Sequence, residues 1–237
     1  MENKVAIITG GGTGIGAAVA VALAAARARV VVCGRRAEPL AEVVAQIRTQ
    51  GGTAVPITAD VSEVADVERV VATAVDRFGT VDILINNAAV DGGAPIHRHS
   101  IEEWDRIMAI NLRGPFLFAR AVLPLMRQQQ SGHIINISSE SGVEHYAGNG
   151  AYGVSKHALN ALGQFIQVEN QDLNIRVNTI CPGMVLTPMS QDFPGLIPDK
   201  CLSPEDIADL VMWLLSRHPN LKIGLPVLIQ TMANPWG

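Results

Sequence analysis

Short runs of β-branched and other apolar residues recur along the chain, separated by longer stretches whose apolar positions repeat every three to four residues. That alternation predicts strands followed by helices, the pattern of βαβ units built on a parallel sheet. The runs Val5–Thr9, Val30–Cys33, Ala54–Thr58, Ile83–Asn86, His133–Ser138, Arg176–Cys181 and Leu225–Ile229 read as strands. Most are continuously apolar, as strands covered on both faces should be. Helices are expected over Gly14–Ala26, Ala37–Gln50, Glu63–Phe78, Ile101–Gln129, Ala151–Gln171 and Pro204–Ser216. Ser62, Ser100 and Ser203 suit their N-caps, since a serine oxygen can accept from an otherwise unbonded amide of the first turn. Met212, Trp213, Leu214 and Leu215 form an apolar patch that reads as core. The stretch Pro182–Leu202 fits no element. Its four prolines, with Met184, Met189 and Phe193, suit a flap over a pocket, here bounded as 184–202.

The expected fold is therefore a doubly wound α/β domain with a seven-stranded parallel sheet and helices on both faces, one domain spanning residues 1–237. Composition agrees: 48% of residues are apolar and 17% charged, ample for a core and inconsistent with disorder. The formal net charge of −4, without a basic run, argues against nucleic acid as a partner. Three scattered cysteines, Cys33, Cys181 and Cys201, suit a reducing, cytoplasmic setting. The glycines at 10, 11, 12, 14 and 16 stand between Lys4 and the apolar stretch Ala17–Ala26, which argues against a signal peptide. No segment has the roughly 18 consecutive apolar residues of a membrane span.

Chemistry enters at the turn after the first strand. Thr9-Gly-Gly-Gly-Thr-Gly-Ile-Gly16 combines sharp turning with close backbone approach at a helix N-terminus, the arrangement that cradles a pyrophosphate. At the end of the second strand an acid would bond a ribose 2′-hydroxyl; this chain has Cys33-Gly34-Arg35-Arg36 instead. Two arginines complement a 2′-phosphate, so NADP(H) is favoured over NAD(H). Glu38 reads better as a helix-dipole partner than as a ribose ligand. Asp60 has two open readings, an acceptor for an adenine amino group or a cap for the next helix. Farther on, Tyr152-Gly-Val-Ser-Lys156 puts a phenol and an ammonium one helical turn apart. A cation so close would lower the tyrosine pKa toward the range a general acid or base needs.

Together these motifs resemble the short-chain dehydrogenase/reductase family across nearly the whole chain. The glycine loop is similar to its T-G-x-x-x-G-x-G, Asn86-Asn87-Ala88-Ala89 to its N-N-A-G, and Pro182-Gly183-Met-Val-Leu-Thr187 to its P-G-x-x-x-T turn. Ser139 stands thirteen residues before Tyr152, as the family's serine does, and Asn111 resembles its helix asparagine. The resemblance implies that Tyr152 protonates a carbonyl oxygen or, in reverse, acts as base. It also implies that Ser139 holds that oxygen, that Lys156 tunes Tyr152 and bonds the nicotinamide ribose, and that Asn111 supports a proton-relaying water. Pro115 supports the last role, because it has no N–H to give the Asn111 carbonyl. Ser138 should face away from Ser139 by strand alternation. The cofactor contacts it implies are Gly10, Gly12, Thr13, Gly14, Ile15, Gly16, Arg35, Arg36, Asp60, Val61, Asn87, Ala88, Tyr152, Lys156, Pro182, Gly183, Val185 and Thr187.

Ser139, Glu140, His145, Tyr146, Met184 and Met189, with Asp91, are candidates for the substrate side. His97 and His99 lack a third ligand, so no metal is expected, and His157 reads as a surface or packing residue. The activity implied is carbonyl reduction or its reverse on a small ketone, aldehyde or secondary alcohol. The alternatives are a 3-oxoacyl-[acyl-carrier-protein] reductase, an NAD-dependent alcohol dehydrogenase and a non-catalytic NADP sensor. An acyl carrier protein needs a basic docking patch, and Arg127 is followed only by Gln128-Gln129-Gln130. The family's frequent ending T-G-x-x-x-x-V-D-G-G is replaced by Ile223-Gly-Leu-Pro-Val-Leu-Ile-Gln-Thr-Met232, so the expected homodimer or homotetramer rests on the remaining likeness.

Overall fold

Alternate residues of each strand face opposite ways, and in this chain both sets are apolar. Ala6, Ile8, Val30, Val32, Ile83 and Ile85 join one buried cluster, while Val5, Ile7, Val31, Cys33 and Leu84 join another. A sheet with two apolar faces has to be covered twice, and the computed structural model, which describes residues 1–218, 220–224 and 226–236, shows both covers.

The strands are β1 (Val5–Thr9), β2 (Arg29–Gly34), β3 (Thr53–Thr58), β4 (Ile83–Asn86), β5 (Gly132–Ile137), β6 (Ile175–Pro182) and β7 (Val227–Ile229). All pair in parallel, in the order β3-β2-β1-β4-β5-β6-β7. Helices α1 (Gly14–Ala25), α2 (Ala37–Thr49) and α7 (Pro204–Leu215) supply the first cluster's helical side chains. On the other face lie α3 (Val64–Phe78), α5 (Gly114–Gln129) and α6 (Gly150–Asn170). Phe118 of α5 is fully buried in the second cluster. Phe118→Ala is expected to cost about 3–5 kcal/mol through the cavity it leaves, seen as a lowered denaturation midpoint at unchanged m-value.

Not all buried residues are apolar. Asn86 Nδ2 donates to Asn136 Oδ1 at 2.9 Å, and Asn136 Nδ2 donates to Thr179 Oγ1 at 3.4 Å, a polar row crossing three adjacent strands.

The predicted elements return within one or two residues, with three corrections. The single helix expected over Ile101–Gln129 is α4 (Ile101–Met108) and α5 joined by a π-helical turn at Ala109–Arg113. Pro115 has no N–H for the carbonyl four residues back, and a widened turn just before it lets the helix continue. Ser62 is not an N-cap: Glu63 holds that position without a side-chain bond, and Ser62 instead donates to Asp60 Oδ1. Ser100 and Ser203 do cap α4 and α7, the latter in a reciprocal capping box with Asp206. The last strand begins at Val227; Leu225, its predicted start, lies outside the described residues. Of the predicted core patch in α7, Leu214 and Leu215 are buried, whereas Trp213 is exposed under the Arg217 guanidinium, 4.9 Å from its ring centroid.

Candidate active site

Strand order reverses between β1 and β4, and loops leaving their carboxyl ends diverge to opposite faces of the sheet. Such a split opens a crevice. Here it is a cleft of about 490 Å³. Its floor is the turn from β1 into α1, with Gly10, Gly12, Thr13, Gly14 and Ile15 on the wall. Gly14 has φ +54°, a conformation that costs a side chain dearly. Gly16 lies behind the wall, where an added Cβ would stand 2.4 Å from the Gly10 carbonyl oxygen, so helix and turn pack backbone on backbone. Thr13 makes no side-chain cap and α1 has no acid in its first turn. Its amides are thus left for an anion, as a dinucleotide's phosphates require.

Thr9 and Asn87 hold this floor to β4. Asn87 Nδ2 donates to the carbonyls of Thr9 and Gly10 at 3.0 and 3.1 Å, and Thr9 Oγ1 accepts from the amides of Asn87 and Ala88, both at 3.0 Å. Asn87 and Ala88 also line the cleft. Thr9 was legible only as the start of the glycine motif; its bracing role depends on the β1–β4 pairing.

Past β2 the wall carries Arg35 and Arg36, both exposed and without an ion pair among the described residues. Glu38 sits in the first turn of α2. Beyond β3 come Asp60 and Val61. Asp60 Oδ1 accepts from the Ser62 amide at 2.9 Å and hydroxyl at 2.6 Å, both bonds within the turn and not to an amide of α3, so Asp60 does not cap that helix, and the residue lines the cleft. Pro39 and Leu40 add an apolar wall that the motifs gave no sign of.

The far wall holds Tyr152 and Lys156 of α6, with Thr187, Pro188 and Met189 from the loop after β6. Lys156 is almost fully buried; its Nζ donates to the Ile137 carbonyl at 3.0 Å and lies 5.5 Å from the Tyr152 ring centroid. The electrostatics depart from the sequence expectation that the cation lowers the phenol. Burial pushes Tyr152 up to about 12, opposed by a hydrogen bond with Ser139, and the carboxylates of Asp91 and Glu140 raise it further. Burial pushes Lys156 down to about 8. Desolvation outweighs the pair's attraction because the ammonium is directed at a carbonyl and not at the phenol oxygen. The phenol is therefore protonated and neutral at physiological pH.

Ser139 follows β5 beside Tyr152, its Oγ accepting from the Ser141 amide at 3.1 Å, while it is the buried Ser138 that lines the cleft, its Oγ donating to the Lys156 carbonyl at 3.2 Å; Ser139 stands just outside the wall. Asn111, in the π turn, is 1% exposed. Its Oδ1 accepts from the Val90 amide at 2.8 Å, and its Nδ2 donates to the Val90 carbonyl at 2.9 Å and to Ser155 Oγ at 3.1 Å. Ser155 in turn donates to the Tyr152 carbonyl at 2.7 Å, so Asn111 ties the loop after β4 to the tyrosine's helix.

Several expected contacts stand outside the cleft wall. Pro182 ends β6, the Gly183 amide donates to Ile229 at 2.7 Å, and Val185 is buried. Glu140 accepts from Gln230 Nε2 at 3.0 Å and also bonds the half-exposed Tyr146. His145 packs against His157 with ring centroids 5.0 Å apart. Met184 accepts from the Leu202 amide through its carbonyl at 2.9 Å, and of the substrate-side candidates Met189 alone is on the wall. Among the described residues no three His, Cys, Asp or Glu side chains gather as a metal site would need, and no helix is long and apolar enough to cross a membrane.

A parallel sheet in this order, with a glycine-floored cleft at the reversal, defines a nucleotide-binding α/β protein of the Rossmann type. The chain belongs to the short chain dehydrogenase family, whose model matches residues 4–194, and is thus a member of a family of oxidoreductases that use nicotinamide cofactors. It is 36% identical over 242 residues to 2-(R)-hydroxypropyl-CoM dehydrogenase of Xanthobacter autotrophicus, covering 96% of this chain and 97% of that protein. Among solved structures it resembles a variant actinorhodin polyketide ketoreductase with NADPH (29% identity, TM-score 0.90, 96% of each chain). It also resembles a metagenomic short-chain oxidoreductase in complex with NADP (34% identity, TM-score 0.85, 98% of this chain and 99% of that one).

Proposed function

We propose that the protein is an NADP(H)-dependent reductase of a small ketone or aldehyde, working in reverse on the secondary alcohol. The observation that carries this reading is the neutral, half-buried Tyr152 phenol on the cleft wall, hydrogen-bonded to Ser139 and one turn from Lys156. When bound, the dinucleotide supplies or accepts the hydride. Ser139 orients the carbonyl oxygen by hydrogen bonding, and Tyr152 gives that oxygen a proton as negative charge builds on it. Lys156 has three N–H donors and spends one on Ile137, which leaves two for the ribose and for returning a proton to Tyr152. Asn111 fixes the wall, and its backbone carbonyl, to which Pro115 offers no N–H, supports the water that relays protons from Lys156.

The glycine floor, the uncapped α1 amides and the two arginines fit a phosphorylated dinucleotide, and the unpaired charge of Arg35 and Arg36 favours NADP(H) over NAD(H). Arg35→Asp is expected to weaken NADPH binding by about tenfold or more and leave NADH binding unchanged. Equal losses for both, or none, in equilibrium titrations would remove the 2′-phosphate role. Free cysteines, two of them buried, support a cytoplasmic setting, and exposed Phe116 and Phe165 on α5 and α6 support a homodimer or homotetramer.

The direct test follows the nicotinamide absorbance with NADPH or NADH against ketones, aldehydes, diketones, quinones and acetoacetyl thioesters. Oxidation of NADPH with one class supports the reading; tight NADPH binding without any turnover would favour the sensor alternative. Turnover with acyl-carrier-protein thioesters alone would favour the acyl reductase, and NADH preference the NAD-dependent dehydrogenase.

A further inference from the structure

The loop after β6 has a base and a tip that are held differently. At the base, Ser190 Oγ donates to the Val185 carbonyl at 2.6 Å and accepts from the Thr187 amide at 3.0 Å. The Leu186 amide donates to Leu202 at 2.8 Å and the Leu202 amide to Met184 at 2.9 Å, so the base closes on itself. The tip runs through short turns instead: the amides of Phe193, Leu196, Lys200 and Cys201 all bond the carbonyl three residues back. Such local bonds shape a turn without fixing where it sits.

What reaches the tip from elsewhere is the segment after β7. The Ile197 amide donates to the Pro235 carbonyl at 2.8 Å, and Trp236 stacks on Phe193 with centroids 6.4 Å apart and planes 16° apart. The segment is itself shaped by short bonds, from Thr231 Oγ1 to the Ala233 carbonyl at 2.7 Å and from the Trp236 amide to Asn234 Oδ1 at 3.0 Å. At its near end, Gln230 holds Glu140, the residue after Ser139. Phe193 stands four residues beyond Met189, which lines the cleft. One strap thus touches the serine side of the site and the flap tip together.

We propose that Trp236 is a positioning residue for the carbonyl substrate: through Phe193 it holds the tip of the flap closed beside the cleft, while the flap base that meets the nucleotide stays in place without it. This rests on reading the cleft as a reductase site. Losing the stack lowers the population of the closed tip, and an apparent substrate affinity scales with the competent fraction. An aromatic pair of this kind corresponds to about three- to tenfold in such an equilibrium.

The test compares the wild-type chain with Trp236→Ala and Trp236→Phe in three readouts: tryptic cleavage after Lys200 in the tip, equilibrium binding of NADPH, and KM and kcat for benzil. With closed and open tips comparably populated in the wild-type chain, a tenfold loss in the equilibrium for Trp236→Ala raises cleavage and KM by about threefold each, with kcat and NADPH Kd within about twofold. Trp236→Phe should restore most of both. Cleavage at the wild-type rate, faster cleavage with unchanged KM, or a loss of NADPH binding equal to the change in KM would overturn the proposal. A wild-type chain that oxidises no NADPH with any carbonyl would sink the reductase reading instead, and the cleavage rates would still decide whether Trp236 holds the tip.

Discussion

Tyr152→Phe is expected to lower carbonyl reduction by about 10²–10⁴-fold, the usual contribution of a positioned general acid, while NADPH binds as before. The phenol's pKa of about 12 keeps it protonated throughout the neutral range, so it can donate whenever a carbonyl is in place. The reverse reaction needs the phenolate, which forms only as pH approaches that value. Alcohol oxidation should therefore rise steadily with alkalinity, whereas reduction shows no loss from Tyr152 below pH 10 or so. Stopped-flow or steady-state rates with a titration of NADPH separate the two halves of this claim. Wild-type-like turnover in the phenylalanine variant, or a falling oxidation rate between neutral pH and the onset of alkaline unfolding, would take Tyr152 out of its role.

The second large effect concerns Lys156, where activity and stability should move in opposite directions. Its folded-state pKa of about 8 lies below the ordinary 10.5, so the folded chain binds this proton less tightly than the unfolded chain does. Stability consequently rises with pH across the window between these values, and the penalty is fully present below pH 8 and gone above 10.5. Lys156→Met removes the buried charge and keeps the apolar stem. It is expected to raise stability at neutral pH by on the order of 1–3 kcal/mol, an increment that fades through the same alkaline window. Turnover should fall by about a hundredfold or more with the donor gone. Urea denaturation at pH 7 and pH 10 provides the check; a variant less stable at both would show that the bond to Ile137 outweighs the cost of burying the ammonium.

The framework of the molecule was readable from the sequence because its strands are unbroken runs of Val, Ile and Leu between clear turn signals. Positions of chemistry carried by motif spacing also landed on the cleft: the glycine turn, Arg35, Arg36, Asn87, Tyr152, Lys156 and Thr187. What spacing could not carry was direction and surroundings. Tyr152 and Lys156 are one turn apart as expected, yet the ammonium donates to a strand carbonyl, and burial reverses the predicted shift of the phenol. The π turn escaped notice because a proline signals a disturbed ladder without saying whether the helix kinks, stops or widens. Glu140 bonds Tyr146 and, ninety positions along the chain, Gln230, and the second of these partnerships leaves no local trace. The apolar wall of Pro39 and Leu40 is likewise a product of where α2 packs.

The row formed by Asn86, Asn136 and Thr179 bears on a question the apolar strands leave open. A sheet of near-interchangeable Val and Ile residues gains almost as much from one alignment of neighbouring strands as from another. Sliding any of these three strands would leave amide groups facing hydrocarbon without partners, at a cost of roughly 1–3 kcal/mol for each. Three interior polar side chains thereby favour one phase for the central strands, and it is this phase that sets Asn86 beside Asn136 and so brings Asn87 level with Ile137, whose carbonyl holds Lys156.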